Sequence, residues 1–237
     1  MQAQTDLETG QELARQGDAA RQRFDNPTAL AYYKKAHTIA PDRFAYHAKM
    51  IQAYNDIGED LASEKAEPYF EQAVRHAEEL QKKFPEKAES YYLLAVSYGN
   101  LALLRGSKEK VKLSGYVLHN TQKAIELNPN YADAYIVLGV YYQEVASLNG
   151  FLKAFARLFF GELPDGTYED AVRSFQKALT LRTTSPVYTY FHLGRTYEYM
   201  DKPEQAEKVY RQALQLPETD HRDHAVKQRM RSRLQDL

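Results

Sequence analysis

Residues 190–197 read YFHLGRTY, and two other stretches, YIVLGVYY at 135–142 and YYLLAVSY at 91–98, repeat the same pattern. Each has an aromatic residue, two further residues, Leu, a small residue, two further residues and Tyr. Spacings of three, four and seven place these side chains on one face of an α-helix. The small residue, Gly194 in the first stretch, lets a neighbouring helix approach closely. The pattern therefore predicts a packed helix that recurs along the chain.

A second pattern follows each of these helices: a small residue, three residues, an aromatic residue, two residues and Ala. Its copies are Ala171, Phe175 and Ala178; Ala206, Tyr210 and Ala213; Ala29, Tyr33 and Ala36; Ala66, Phe70 and Ala73; and a degenerate Val117, Thr121 and Ala124. The first two repeats carry less of the first pattern, with Leu13 and Gly17 in one and only Tyr54 in the other. The alternation of two helix patterns resembles the tetratricopeptide repeat, a helix–turn–helix unit of about 34 residues.

The resemblance implies an all-α fold, a right-handed superhelical solenoid of about five helix pairs, in which stacked pairs bury a continuous core. We expect a single tetratricopeptide domain over residues 1–237, closed by a C-terminal capping helix. The expected repeat units are 8–43, 44–86, 87–130, 131–184 and 185–217, and the capping helix is 219–237. Most of the 19 Tyr residues are interpreted as packing between helices, with the hydroxyl at a polar rim.

Two repeats carry insertions between their helices. From the first-helix aromatic residue to the second-helix Ala, the separation is 23 positions for Tyr190 to Ala213, 33 for Tyr91 to Ala124 and 43 for Tyr135 to Ala178. Insertions of this kind map to one edge of a solenoid, often the binding face. The sequence predicts insert helices at 105–115 and 149–166. The first holds a candidate anion contact, or a solvated charged turn, at Lys108, Lys110 and Lys112.

The second insertion, NGFLKAFARLFFGELPDG, is rich in Phe, and its pattern predicts an amphipathic helix with a broad apolar side. Three roles remain open for it: a lid or extra core on the solenoid, a docking element for a partner or second subunit, or a peripheral contact with a membrane surface. The lid or docking residues are Phe151, Leu152, Phe155, Leu158, Phe159 and Phe160.

Residues 108–179 also resemble the tetratricopeptide domain of the regulator of microtubule dynamics family and its bacterial relatives. The similarity lies in the Lys-Glu-Lys run at 108–110, in Glu-Val-Ala-Ser-Leu at 144–148, and in Leu-Phe-Phe-Gly at 158–161 followed by Pro164. One animal branch of that family is associated with phospholipid binding and transfer at organelle contact sites. The resemblance thus implies a lipid-like ligand as one option.

Composition excludes several other classes. A net charge of -1 argues against charge-driven nucleic-acid binding, and no run of about 18 apolar residues could span a bilayer. No Cys is present, so disulfides and thiol chemistry are excluded. The start, MQAQ, resembles the small-residue end of a signal peptide, where AQAQ is common, with a Met added. We therefore expect an exported mature form ahead of a cytoplasmic one.

No catalytic motif is present, and neither an enzyme activity nor a cofactor is expected. His221 and His224 are the best metal candidates, but the pattern is too weak to predict a site. His37, His47, His76, His119 and His192 are interpreted as packing or surface residues.

The first helices of a tetratricopeptide solenoid line its concave side, and their faces away from the packing stripe are apolar and aromatic with polar margins, as in ligand sites. The predicted groove residues are Tyr92, Val96, Asn100, Ile136, Val140, Gln143, Tyr188, Phe191, Arg195 and Tyr199. The leading hypothesis is a non-enzymatic scaffold that binds an apolar or amphipathic ligand, a lipid chain or a hydrophobic peptide segment. The alternatives are a protein–protein adaptor that docks through the second insertion, or an assembly or transport accessory protein.

Overall fold

The computed structural model describes residues 2–148 and 166–237, with side chains described from Glu8 onward. Eleven helices and no strands are found in these ranges. The helices are α1 (Gln2–Arg21), α2 (Asn26–Ile39), α3 (Phe44–Asp60), α4 (Ser63–Lys83), α5 (Ala88–Leu103), α6 (Ser107–Leu127), α7 (Ala132–Ser147), α8 (Tyr168–Thr180), α9 (Pro186–Tyr199), α10 (Pro203–Leu214) and α11 (Asp223–Asp236). The predicted all-α tetratricopeptide fold is confirmed.

Two compact units divide the chain, Met1–Gly106 and Ser107–Leu237. In the first unit each of α1 to α4 packs on the next helix, and α3 also packs on α5. In the second unit each of α6 to α10 packs on the next helix, and α9 also contacts α7 and α11. Contact between alternate helices is the arrangement of stacked helix pairs. The boundary falls inside the first predicted insertion, and a single domain over 1–237 stays a prediction.

Close contact between a glycine and an aromatic ring holds four helix pairs together. A Cβ atom built on Gly194 would lie 2.2 Å from Cε1 of Tyr210, and one on Gly139 would lie 2.5 Å from Cε1 of Phe175. Gly17 meets Tyr33 at 2.4 Å and Gly58 meets Phe70 at 2.3 Å in the same way. Only a residue without a side chain leaves room for these rings. Gly58 is therefore the small residue of the first-helix pattern in the second repeat, where Tyr54 alone was predicted to belong to it.

Two of the buried tyrosines carry their hydroxyl groups to a carboxylate. Tyr33 and Tyr210 are fully buried, and they donate hydrogen bonds to Asp18 at 2.8 Å and to Glu198 at 2.7 Å. Burial first, and then the partner carboxylate, raises the pKa of each phenol. These rings therefore pack between helices and place their hydroxyls at a polar margin.

The first insertion adds length to a helix. Residues 107–127 form one continuous helix, α6, in which Gly115 lies in the interior. Its apolar residues Val111, Leu113 and Val117 are buried. The predicted insert at 105–115 is therefore not a separate element: it extends the second helix of its repeat toward the N-terminus.

Helix α11 packs on α9 and α10. Val226 and Met230 join a buried cluster with Phe191 and Tyr210. At its beginning, the Asp223 carboxylate accepts hydrogen bonds from the backbone N–H of Thr219 and Asp220. These hydrogen bonds tie the loop before α11 to the first residue of the helix.

Candidate interaction surface on helix α9

Four predicted groove residues lie on α9, with different exposures. Phe191 is buried in the cluster shared with α10 and α11. Tyr188 and Arg195 are half-buried, and Tyr199 is 46% exposed. Tyr168, the first residue of α8, stacks on Tyr199 with ring centroids 5.5 Å apart. We call Tyr168, Tyr188, Arg195 and Tyr199 the α9 surface.

Arg195 is the polar centre of the α9 surface. Its guanidinium carbon lies 5.3 Å from the centroid of the Tyr199 ring and 5.9 Å from that of Phe191. It donates a hydrogen bond to the Tyr199 hydroxyl, whereas its Nε is buried with no acceptor among the described residues. A guanidinium has five N–H donors in a planar fork. Arg195 therefore keeps donors for an acceptor from outside the chain.

The rest of the α9 surface is held by pairs within the second unit. The guanidinium of Arg222 lies 4.5 Å from the centre of the Tyr188 ring and pairs with Asp220 at 2.8 Å. Burial raises the pKa of Asp220, but the hydrogen bonds and the charge of Arg222 outweigh it. The pKa of Asp220 is therefore held well below its usual range. Arg222 therefore has a carboxylate partner, in contrast to Arg195.

A buried polar network fixes α9 against α7. Gln143 is 2% exposed and donates to the His192 carbonyl at 3.1 Å and to Oγ1 of Thr196 at 2.7 Å. Its Oε1 lies 3.0 Å from Nδ1 of His192. Burial, followed by the charges of Arg195 and two further arginines, lowers the pKa of His192 to about 3. The imidazole is therefore neutral at physiological pH, and the network positions α9.

Three predicted groove residues therefore offer almost no surface to a ligand. Gln143 belongs to the network, and Ile136 and Phe191 are 7% and 5% exposed within apolar clusters. The reason is that neighbouring helices cover part of the face assigned to the groove. Helix α9 covers Gln143, α8 and α9 cover Ile136, and α10 and α11 cover Phe191. Val140 is half-buried beside Ile136.

The predicted groove residues of the first unit are half-buried on α5. Tyr92 packs against the core of that unit, and Val96 lies one turn further on. The Asn100 amide donates to Oδ1 of Asn55 at 3.2 Å and to Oε1 of Glu59 at 2.9 Å. The Asn100 side chain thus joins α5 to α3.

The three lysines of the first insertion are in the first turns of α6. Lys110 pairs with Glu144 of α7 at 2.9 Å, while Lys108 and Lys112 are exposed. An anion contact by these lysines stays a prediction.

The lid or docking residues Phe151, Leu152, Phe155, Leu158, Phe159 and Phe160 lie outside the described residues. The chain after them is anchored close to the α9 surface. Gly166 is buried against Tyr142 of α7, where a Cβ would lie 2.7 Å from the ring, and Tyr168 stacks on Tyr199. Thr167 caps α8 between these two contacts, exchanging hydrogen bonds with Asp170 at 3.1 Å. The second insertion therefore rejoins the fold beside Arg195.

Comparison with known proteins relates this architecture to one family. The sequence model of the family described as "Regulator of microtubule dynamics protein 1-3" matches residues 7–237. The chain belongs to the regulator of microtubule dynamics family. The resemblance read from residues 108–179 is thus confirmed and extends over nearly all of the chain.

Curated members of the regulator of microtubule dynamics family are distant and longer. Regulator of microtubule dynamics protein 3 of Mus musculus is 28% identical over 179 residues, which cover 75% of this chain and 38% of the mouse protein. Regulator of microtubule dynamics protein 2 of Homo sapiens is 23% identical over 197 residues, 83% of this chain and 48% of the human protein. The chain therefore spans less than half the length of these relatives.

Solved structures place this family member among tetratricopeptide proteins. A thermophilic tetratricopeptide protein of Thermus thermophilus has a TM-score of 0.72 at 19% identity, covering 95% of this chain and 99% of its own. The crystal structure of the APC/C hetero-tetramer Cut9-Hcn1 has a TM-score of 0.62 at 16% identity, covering 98% of this chain and 40% of its own. At these identities the similarity establishes the fold alone.

In this family member the histidines are less scattered than the sequence suggested. His37, His47 and His76 come together in the first unit, although the sequence predicted no metal site. His221 and His224, the metal candidates from sequence, are not part of any converging ligand group in the described ranges. The sequence gives no signal for the cluster, because His47 and His76 are 29 positions apart on different helices.

Within residues 2–148 and 166–237, no helix is both long enough and apolar enough to cross a bilayer.

Proposed function

We propose that this chain is a non-enzymatic interaction scaffold whose α9 surface binds an amphipathic segment of a protein partner. The observation that carries the proposal is Arg195, whose half-buried guanidinium lies between aromatic rings and has no carboxylate partner among the described residues. A carboxylate that accepts hydrogen bonds from a guanidinium forms one of the stronger pairs in proteins. Arg195 is therefore suited to anchor a carboxylate.

The surroundings of Arg195 favour a ligand with an apolar face beside its acidic group. Tyr199 and Tyr168 stack on each other and present aromatic area next to the guanidinium. Tyrosines and arginine at the centre of a surface are the residues most often found at binding hot spots. The family and the fold, whose members present extended binding surfaces on stacked helices, support a protein or peptide partner.

The second insertion is proposed to cover the bound segment. It leaves α7 after Leu148 and rejoins at Gly166, next to Tyr142 and within two residues of Tyr168. Its Phe-rich apolar side would then face the ligand instead of water. A lipid chain is the other apolar occupant that such a cover would suit.

We expect a short acetylated and amidated peptide, with a Leu- and Phe-rich face and one central Glu, to bind saturably in fluorescence anisotropy. Arg195→Gln should weaken this binding about tenfold or more, because a hydrogen-bonded charge pair is lost. The matched control is Arg211→Gln on α10, since Arg211 is exposed and paired with Glu207 at 2.7 Å. Equal affinity of the two variants would contradict the role of Arg195.

The same experiment separates the peptide from the lipid ligand. Native mass spectrometry of the purified protein, before and after organic extraction, reports any co-purifying lipid. A protein that carries no lipid, gains none from phosphatidylcholine vesicles and binds the peptide supports the proposal. A stoichiometric lipid that the peptide does not displace would replace the peptide partner with a lipid ligand.

Phe155→Asp tests the covering role of the insertion. We expect it to weaken peptide binding by about tenfold, the scale of one buried Phe side chain, without changing the oligomeric state. Lys153→Asp, at a position in the same segment that is already charged, is the control and should bind as the parent chain does. A parent chain that forms a concentration-dependent oligomer, dissociated by Phe155→Asp, would instead make the insertion a docking element between copies.

A further inference from the structure

Three histidines from consecutive helices meet in the first unit. His37 of α2 stacks on His47 of α3, with ring centroids 4.2 Å apart, and His76 of α4 meets His47 edge-on at 5.4 Å. Glu79 follows one turn after His76 on α4, and Tyr54 stacks on the His76 ring at 5.7 Å. The cluster lies far along the chain from every residue of the α9 surface and has no part in the function proposed above.

The ligand atoms of this cluster are spaced as around a metal ion. Nε2 of His47 lies 3.3 Å from Nδ1 of His76, which lies 3.4 Å from Oε2 of Glu79. The ligand atoms of the three residues all lie within 4.8 Å of one another. A tetrahedral zinc site with bonds of about 2.0–2.1 Å has ligand atoms roughly 3.3–3.4 Å apart. The distances from Nδ1 of His76 to Nε2 of His47 and to Oε2 of Glu79 therefore already match two edges of such a tetrahedron. The exposed Glu79 side chain can move to bring its oxygen to the same distance from Nε2 of His47.

The protein leaves part of the cluster's hydrogen-bonding capacity unfilled. Nδ1 of His37 and Nδ1 of His47 are buried, and neither has a hydrogen-bond partner in the described part of the chain. His47 is only 3% exposed, so water cannot reach most of its ring. Neither nitrogen is one of the converging ligand atoms, so the metal site rests on the spacing of Nε2 of His47, Nδ1 of His76 and Oε2 of Glu79.

The charges around the cluster make Glu79 essential. Lys34 of α2 and Arg75 and Lys83 of α4 are close enough to lower the histidine pKa values, and they oppose a second positive charge. The Glu79 carboxylate acts in the opposite direction on His76. It is the acidic ligand that would offset part of the charge of a bound dication.

We propose that His47, His76 and Glu79 form a binding site for a divalent transition metal, with zinc the best match and water in the fourth position. Two imidazoles and a carboxylate suit zinc, nickel or copper, whereas calcium and magnesium need oxygen ligands. The metal joins α3 to α4 through side chains 29 positions apart. It therefore stabilises the first unit, independently of any partner at α9.

The test is isothermal titration of Zn²⁺ into the full chain without a histidine tag, after chelator treatment. We expect one zinc per chain, a raised thermal midpoint in zinc, and visible absorption of tetrahedral cobalt when Co²⁺ replaces zinc. His76→Gln and Glu79→Gln should each weaken zinc binding by about tenfold to 100-fold. His119→Gln and His224→Gln, at exposed positions, are the controls and should bind zinc as the parent does.

Glu79→Gln keeps the test decisive if His76→Gln fails to fold, because Glu79 is exposed and its loss leaves the apo fold intact. Absence of saturable zinc uptake would overturn the site. So would zinc binding that survives Glu79→Gln unchanged, or that is lost in His224→Gln.

Discussion

Gly194→Ala is expected to lower the free energy of unfolding by about 2 kcal/mol, a fall in thermal midpoint of about 4–8 °C. The added Cβ would lie 2.2 Å from the buried Tyr210 ring, so α9 and α10 must separate or the ring must leave its rotamer. This cost exceeds the gain of up to about 1 kcal/mol that Ala brings to a helix. Urea unfolding measures the difference. Gly106→Ala is the control, because no atom lies within 4 Å of its Cβ position.

A second substitution shows whether the clash is the cause. Tyr210→Thr alone should cost about 4 kcal/mol, because it removes a buried ring and the hydrogen bond to Glu198. The double variant Gly194→Ala/Tyr210→Thr should be more stable than the sum of the two changes predicts, by about 2 kcal/mol. The third repeat already has this combination in its sequence, with Ala95 and Thr121 at the corresponding positions. Additive costs would contradict the glycine–ring account.

Acidification is expected to destabilise the chain through His192. Its pKa is about 3 in the folded chain, because the ring is buried and three arginines act on it, against about 6.5 when unfolded. Between these values the unfolded chain binds a proton that the folded chain does not, so stability falls as the pH falls through this window. The loss from this residue should be about 1.5–2 kcal/mol between pH 6.5 and pH 5.

Comparison with His192→Asn isolates the contribution of His192 from those of the other buried histidines. The variant removes the titrating ring, so its stability should depend less steeply on pH by about one proton between pH 6.5 and pH 5. His119→Asn, at an exposed position on α6, should keep the parent slope. Urea unfolding at several pH values measures all three. Equal slopes for the parent and His192→Asn would contradict the buried neutral imidazole.

The fold could be predicted from sequence because in four helix pairs a glycine on the first helix meets a large aromatic ring on the second helix, and both residues occur at fixed spacings. Gly194 and Tyr210, or Gly139 and Phe175, mark first and second helices wherever they occur. Gly58 shows the limit of this approach: it meets Phe70 as the other glycines meet their rings, yet Ile57 and Leu61 around it hid the pattern. Helix α6 shows another limit: a separate insert was predicted at 105–115, whereas Val111 and Val117 are buried along one continuous helix.

The candidate site could be predicted only in part. Arg195 and Tyr199 follow from the helical periodicity of α9, but the burial of Phe191 and Gln143 depends on how the helices of the second unit stack. Tyr168 could not be found from sequence, because its stacking on Tyr199 joins residues on different helices after a long insertion. The histidine cluster was missed for the same reason.

A thermodynamic cycle across the interface tests the central claim most directly. Dissociation constants are measured for the parent chain and Arg195→Gln, each with the Glu-containing peptide and with its Gln counterpart. If the guanidinium binds the carboxylate, either change alone should weaken binding about tenfold, and the second change should then add little. If the two changes raise the dissociation constant by factors that simply multiply, the guanidinium does not bind the carboxylate, and Arg195 is not the anchor of the α9 surface.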